Sequence, residues 1–151
     1  MARLPKNPLV SEVLRAAHGA KTKDKKISIL REHKGDHFKA LFVWNYDSEI
    51  KSAIPEGDVP YKKNEAPAGT EHTSLASEAK KLYHFVVGGN NTINKLKKET
   101  MFIQMLEGLH EQDAEVLMAI KNKNLNNVYK GLTSNLVKET FNWNDDFVRI
   151  A

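Results

Sequence analysis

Residues 93–109 read Ile-Asn-Lys-Leu-Lys-Lys-Glu-Thr-Met-Phe-Ile-Gln-Met-Leu-Glu-Gly-Leu, and this stretch decides the fold class. Ile93, Leu96, Thr100 and Ile103 recur at helical spacing, and Phe102, Met105, Leu106 and Leu109 widen the apolar face beyond that of a surface helix. That width predicts the central helix of the fold. Upstream, Leu75, Ala79, Leu82 and Val86 keep a helical period until Gly88-Gly89 supplies a stop, with Lys80, Lys81 and His84 on the other side. Downstream, Glu111, Asp113 and Glu115 favour the start of a helix whose apolar face is Val116, Leu117 and Ile120. Residues 125–131 read as a turn or a single helical turn, and Thr133 can cap a last helix carrying Leu136, Val137, Thr140 and Phe141. The tail residues Trp143, Phe147, Val148 and Ile150 are apolar enough to dock.

Towards the N-terminus, Asn7-Pro8 opens a helix through Leu9, Val10, Val13, Leu14 and Ala17 to a stop at Gly19. Thr22 caps a second one, with Asp24 in its first turn, Ile27 and Leu30 on its buried face, and Gly35 beyond its end. Phe38, Phe42, Tyr46, Ile50 and Ile54 step by four, which predicts a third helix over 36–53. The short, β-friendly run 40–44 keeps a buried strand as the alternative there. Between the two halves, residues 55–74 hold three of the five prolines and two of the eight glycines and follow no period. A connection of that length inside a compact domain is a functional loop or a linker. The reading is one all-α domain, a compact bundle of about six helices. Its basic N-terminal helices span 1–54, the loop 55–74 and the C-terminal helical core 75–151.

Leu, Ile, Val and Phe make up 38 of the 151 residues, enough for a core. The chain has no cysteine, which excludes disulfides, thiolate metal sites and cysteine nucleophiles. No apolar stretch has the length of a signal peptide or a membrane span, so a soluble, intracellular protein with no membrane partner is expected. The net charge of +4 is uneven: residues 1–63 hold 13 Lys and Arg against 8 Asp and Glu, and residues 64–151 hold 10 against 11. A polyanionic partner therefore belongs with the N-terminal half.

No catalytic pattern survives inspection. His33 and His37 have the spacing of a metal pair, but Gly35 lies between them at a helix boundary and spoils the shared face. His110-Glu111 begins like a zinc-protease motif and has no second histidine. Gly88-Gly89-Asn90-Asn91-Thr92 precedes a helix N-terminus, a favourable place for a phosphate, yet it lacks the Gly-Lys-Ser/Thr ending of a nucleotide loop. A plain turn is the competing reading. No Gly-x-Ser-x-Gly elbow is present. The expectation is a non-enzymatic protein with no cofactor and no catalytic or metal residues.

Two binding readings remain. In the first, Lys21, Lys23, Lys25 and Lys26, joined by Lys95, Lys97 and Lys98, converge on a face that neutralises the phosphates of a nucleic acid. In the second, Pro60, Tyr61, Lys62 and Lys63 make the loop an arm that docks on another protein. The alternative for that loop is a segment pinned back on its own domain by Tyr61. Met101, Met105 and Met118 read as core, with a partner groove as the alternative.

Two stretches also carry a resemblance. One is Pro-Glu-Gly-Asp-Val-Pro-Tyr-Lys-Lys-Asn-Glu-Ala-Pro-Ala-Gly-Thr-Glu-His-Thr at 55–73. The other is Glu-Thr-Met-Phe-Ile-Gln-Met-Leu-Glu-Gly-Leu-His-Glu-Gln-Asp-Ala-Glu-Val-Leu at 99–117, continuing to Tyr-Lys-Gly-Leu-Thr at 129–133. Over roughly residues 50–147 the chain resembles a family of small uncharacterised proteins of T4-like tailed bacteriophages, notably those of marine cyanobacteria. The resemblance implies a phage origin, a place in the host cytoplasm or the virion, and a phage or host protein or nucleic acid as partner. It implies no catalytic residue, and neither it nor the residues indicate an oligomeric state.

Overall fold

In the computed structural model, α6 (Glu111–Lys121) is the element around which the others are arranged: it packs against α1 (Val10–Gly19), α3 (Asp36–Tyr46), α5 (Lys95–Gly108) and α7 (Leu125–Val128). The structure describes residues 9–33, 35–54, 57, 59–62, 74–90 and 92–144. Being covered on several sides, α6 buries Ala114, Val116, Leu117, Ala119 and Ile120 together with Asp113 and Lys121. The remaining helices are α2 (Lys23–Glu32), α4 (Leu75–Glu78), a 3-10 helix (Ala79–Phe85) and α8 (Ser134–Phe141). Among the described residues there is no strand, and the fold is an all-α bundle. Its apolar side chains form one continuous core from Val10 to Trp143.

Local chemistry explains where the helices start. Thr22 Oγ1 accepts the Lys25 N–H at 3.2 Å and Thr133 Oγ1 accepts the Leu136 N–H at 3.2 Å, the two threonine caps read from the sequence. Asn94 Oδ1 accepts the Lys97 N–H at 2.8 Å, so α5 begins after Ile93 rather than at it. At α1, the Leu9 N–H donates to Glu12 Oε1 at 2.8 Å, and the buried Asp113 of α6 accepts the Ser11 N–H at 2.9 Å. That carboxylate sits where a helix leaves unpaired donors and partial positive charge. Asn7-Pro8 and the tail residues Phe147, Val148 and Ile150 lie outside the described residues.

Five expectations are corrected. The central helix is α6, because α5 packs only along one side, against α6 and the 3-10 helix, as its principal neighbours. On α5 the buried face is Phe102, Met105 and Leu106, continued by Leu109, whereas Leu96 is 73% exposed and Thr100 is exposed. The third helix ends at Tyr46 rather than near 53. Lys123 Nζ donates to the carbonyls of Trp44 and Asp47, and Asp47 Oδ1 accepts the Glu49 N–H at 3.0 Å, which together close α3 and turn the chain. Ile54 still enters the core because residues 51–53 pair antiparallel with 85–87: Ala53 N–H to the Phe85 carbonyl and Val87 N–H to the Lys51 carbonyl, both 2.7 Å. The strand alternative at 40–44 is replaced by helix.

The last correction concerns residues 75–86, where the expected helix is one turn of α4 followed by seven residues of 3-10 helix. A 3-10 helix has about three residues per turn, so side chains three apart eclipse one another. Ala79, Leu82 and Phe85 thereby form one buried line. Lys80, Tyr83 and Val86 form a second line, along a groove with α3.

Candidate functional site

The groove between α3 and the 3-10 helix has a volume of about 520 Å³. One wall is Lys39, Ala40, Val43 and Trp44 of α3 and the other is Lys80, Tyr83 and Val86, with Ile50 contributing from the segment between them. Its floor is held rigidly. Trp44 is buried, its indole Nε1–H donates to Ser52 Oγ at 2.8 Å, and that hydroxyl donates to the Lys121 carbonyl at 2.7 Å. Tyr83 stands out of the wall 51% exposed, an unusual place for a large ring. Its ring lies 4.0 Å from that of His84 at an interplanar angle of 35°, and Asn90 Nδ2 donates to His84 Nδ1 at 2.8 Å. The aromatic pair is thus braced from the following turn. Among the described lining residues the only charges are the ammonium groups of Lys39 and Lys80, both on exposed residues. The groove joins an apolar floor, an open aromatic ring and two cations.

The lysines singled out from the sequence go to different places. Lys21, Lys23 and Lys25 are exposed around the start of α2, and Lys23 pairs with Glu139 of α8 across the surface. Lys26 turns inward, and its Nζ donates to the carbonyls of Ala17 at 3.2 Å and His18 at 2.9 Å at the C-terminus of α1. That is a helix-capping role. On α5, Lys95 and Lys97 are exposed and Lys98 is half-buried. The principal neighbours of α2 are α1 and α8, whereas those of α5 are α6 and the 3-10 helix, so the two sets share no principal packing partner.

The described part of the loop lies against the bundle. Lys121, only 3% exposed, donates from Nζ to the Gly57 carbonyl, and Asn122 Oδ1 accepts the Gly57 N–H at 3.1 Å. Val59 and Tyr61 pack on the core, and the Lys62 N–H donates to Glu107 Oε2 at 2.8 Å. Val59, Pro60 and Tyr61 line a cavity of about 430 Å³ with Met118 and Ala119 of α6 and Val128 of α7. Lys63 and residues 64–73 lie outside the described residues.

Sequence reasoning did not find Lys39 or Tyr83. The available signal was the Lys80-to-Tyr83 spacing, since residues three apart share a face in either kind of helix. Lys39 carries no such signal, because only tertiary packing brings it into the same groove as Lys80. Among the described residues no group of three or more His, Asp or Glu side chains could hold a metal ion, and no helix is long and apolar enough to cross a membrane.

No curated protein and no solved structure matches the chain. A family model does match, over residues 13–127, which take in most of α1, all of α2 to α6, the groove and the loop. The chain belongs to that family, DUF6433, a family of unknown function.

Proposed function

We propose that this chain is a non-enzymatic accessory protein of a tailed bacteriophage, acting in the host cytoplasm or in the virion by binding nucleic acid. The observation that carries the binding reading is the groove lined by both Lys39 and Lys80 together with the exposed ring of Tyr83. Lysines supply the sequence-independent attraction for phosphates and an exposed ring adds a stacking surface, the combination found in single-strand-binding grooves. Lys21, Lys25, Lys95 and Lys97, exposed elsewhere on the surface, add long-range attraction without needing to form one stripe. The phage assignment rests on the wording of the 55–73 and 99–133 stretches.

The test is fluorescence anisotropy with labelled single-stranded DNA, duplex DNA and RNA at about 50 and about 200 mM salt. Binding that weakens by orders of magnitude between the two is the expected outcome. Lys39→Glu with Lys80→Glu should weaken it and lower the salt slope by about 2, one for each phosphate that is no longer neutralised. Absence of binding at the lower salt overturns the reading.

A further inference from the structure

We propose that the groove seats one unpaired base of a single strand against Tyr83, with the phosphates on either side of that base held by Lys39 and Lys80. The inference deepens the nucleic-acid reading and rests on it. Three features select this occupant. First, the two cations come from different elements lining the groove, Lys39 from α3 and Lys80 from the 3-10 helix, so each brings positive charge to it. A nucleotide unit in a strand has a phosphate on both sides; a fatty acid has one carboxylate. Second, the half-exposed side chain lining the groove is a flat ring, set at a tilt of 35° against His84 and braced by it, and that ring offers a platform for a further π-face. Third, about 520 Å³ lies within the roughly 300–1,000 Å³ of small-ligand clefts and accepts one base. A duplex could reach the platform only by flipping a base out of its stack, which costs a few kcal/mol, so single strands are preferred.

The lining also bears on selectivity. Trp44 Nε1 is engaged by Ser52, which leaves the Tyr83 hydroxyl and the two ammonium groups as the polar side-chain groups among the described lining residues. With both ammonium groups engaged by phosphates, discrimination between bases follows chiefly stacking strength.

The test compares full-length wild-type protein binding a short oligothymidylate with the same strand made abasic, which keeps every phosphate and removes every base. The expected result is roughly tenfold weaker binding of the abasic strand, with Tyr83→Leu removing that difference while leaving the salt dependence in place. Tyr83 is half-exposed, and an unchanged thermal transition will show that the variant folds. As a second measurement, the fluorescence of 2-aminopurine within the strand should be quenched on binding wild type and unquenched with Tyr83→Leu. Equal binding of the normal and abasic strands overturns base seating and leaves the phosphate reading intact. Failure of both strands to bind at low salt overturns both.

Discussion

At the scale of single residues, two lysines illustrate how a positive charge becomes structural. Lys26 holds the last carbonyls of α1 and Lys123 those of α3, and both carbonyl groups sit where a helix presents partial negative charge. We expect Lys26→Met to lower stability by about 1 kcal/mol in urea unfolding, the scale of a charge-assisted cap, whereas Lys21→Met and Lys25→Met stay within about 0.5 kcal/mol. Equal effects from all three would remove the capping role. Tyr46 supplies a pH prediction. Burial raises its phenol well above the ordinary value of 10.0, and its hydroxyl donates to the Leu132 carbonyl. Tyr129 is raised in the same direction, chiefly by burial, against a lowering by Arg15 and with raising contributions from Asp113 and Glu115. A group with a raised folded pKa contributes stability that is complete below its unfolded value and is lost as pH climbs towards the folded one. Both tyrosines therefore make stability fall above pH 10.0. Lys123 acts in the opposite sense. Burial lowers it, partly offset by Asp47 and reinforced by Lys51, so its contribution rises with pH up to its ordinary value of 10.5. Urea titrations between neutral and strongly alkaline pH should show the fall, and Tyr46→Phe should flatten it. An unchanged slope in that variant would assign the alkaline loss to other groups.

At the scale of elements, the 3-10 helix and the turn behind it shape the groove. A run of seven residues exceeds the usual three or four, and it persists because its eclipsed line Ala79, Leu82 and Phe85 is sealed into the core. The turn that follows is closely fitted. Gly88 has φ +85°, and a Cβ on Gly89 would clash with the backbone carbonyl oxygen of Tyr83. Gly88→Ala should cost about 1 kcal/mol for its left-handed backbone. Gly89→Ala should cost more, on the order of 2–3 kcal/mol, because the clash is with backbone and the turn must move. Thermal melts check both, and Gly89→Ala should also weaken oligonucleotide binding by displacing Tyr83. A Gly89→Ala protein as stable as wild type would show that the turn yields freely. The 3.6-residue period read from residues 75–86 suggested an apolar face ending at Val86 and omitted Phe85. The three-residue turn puts Phe85 inside and Val86 on the groove wall, a difference of pitch that the residue pattern alone does not display.

At the scale of the whole molecule, α6 joins the two halves of the chain: α1 and α3 from before the loop, and α5 and α7 from after it, pack on the same helix, while α2 packs on α8. Removing either half would expose the buried face of α6. We therefore expect one cooperative transition, with far-UV circular dichroism and the fluorescence of the buried Trp44 and Trp143 coinciding in urea. Separate transitions would mean that the halves fold independently. The amino-acid sequence by itself determined the helical class, the two threonine caps, the apolar sets of α1, α2 and α8, and the irregular character of the described loop residues 57 and 59–62. These follow from periodicity and short-range hydrogen bonding, which a linear pattern records. It also carried the excess of positive charge in residues 1–63. Only the tertiary structure decided that α6 is central, that α3 stops at Tyr46 under Lys123, that Lys26 turns inward, and that Lys39 and Lys80 line one groove. Each of these depends on which surfaces meet after folding. The partner of Lys123 is 79 residues away, and the walls of the groove come from segments on either side of the loop, so no local window contains both halves of the information.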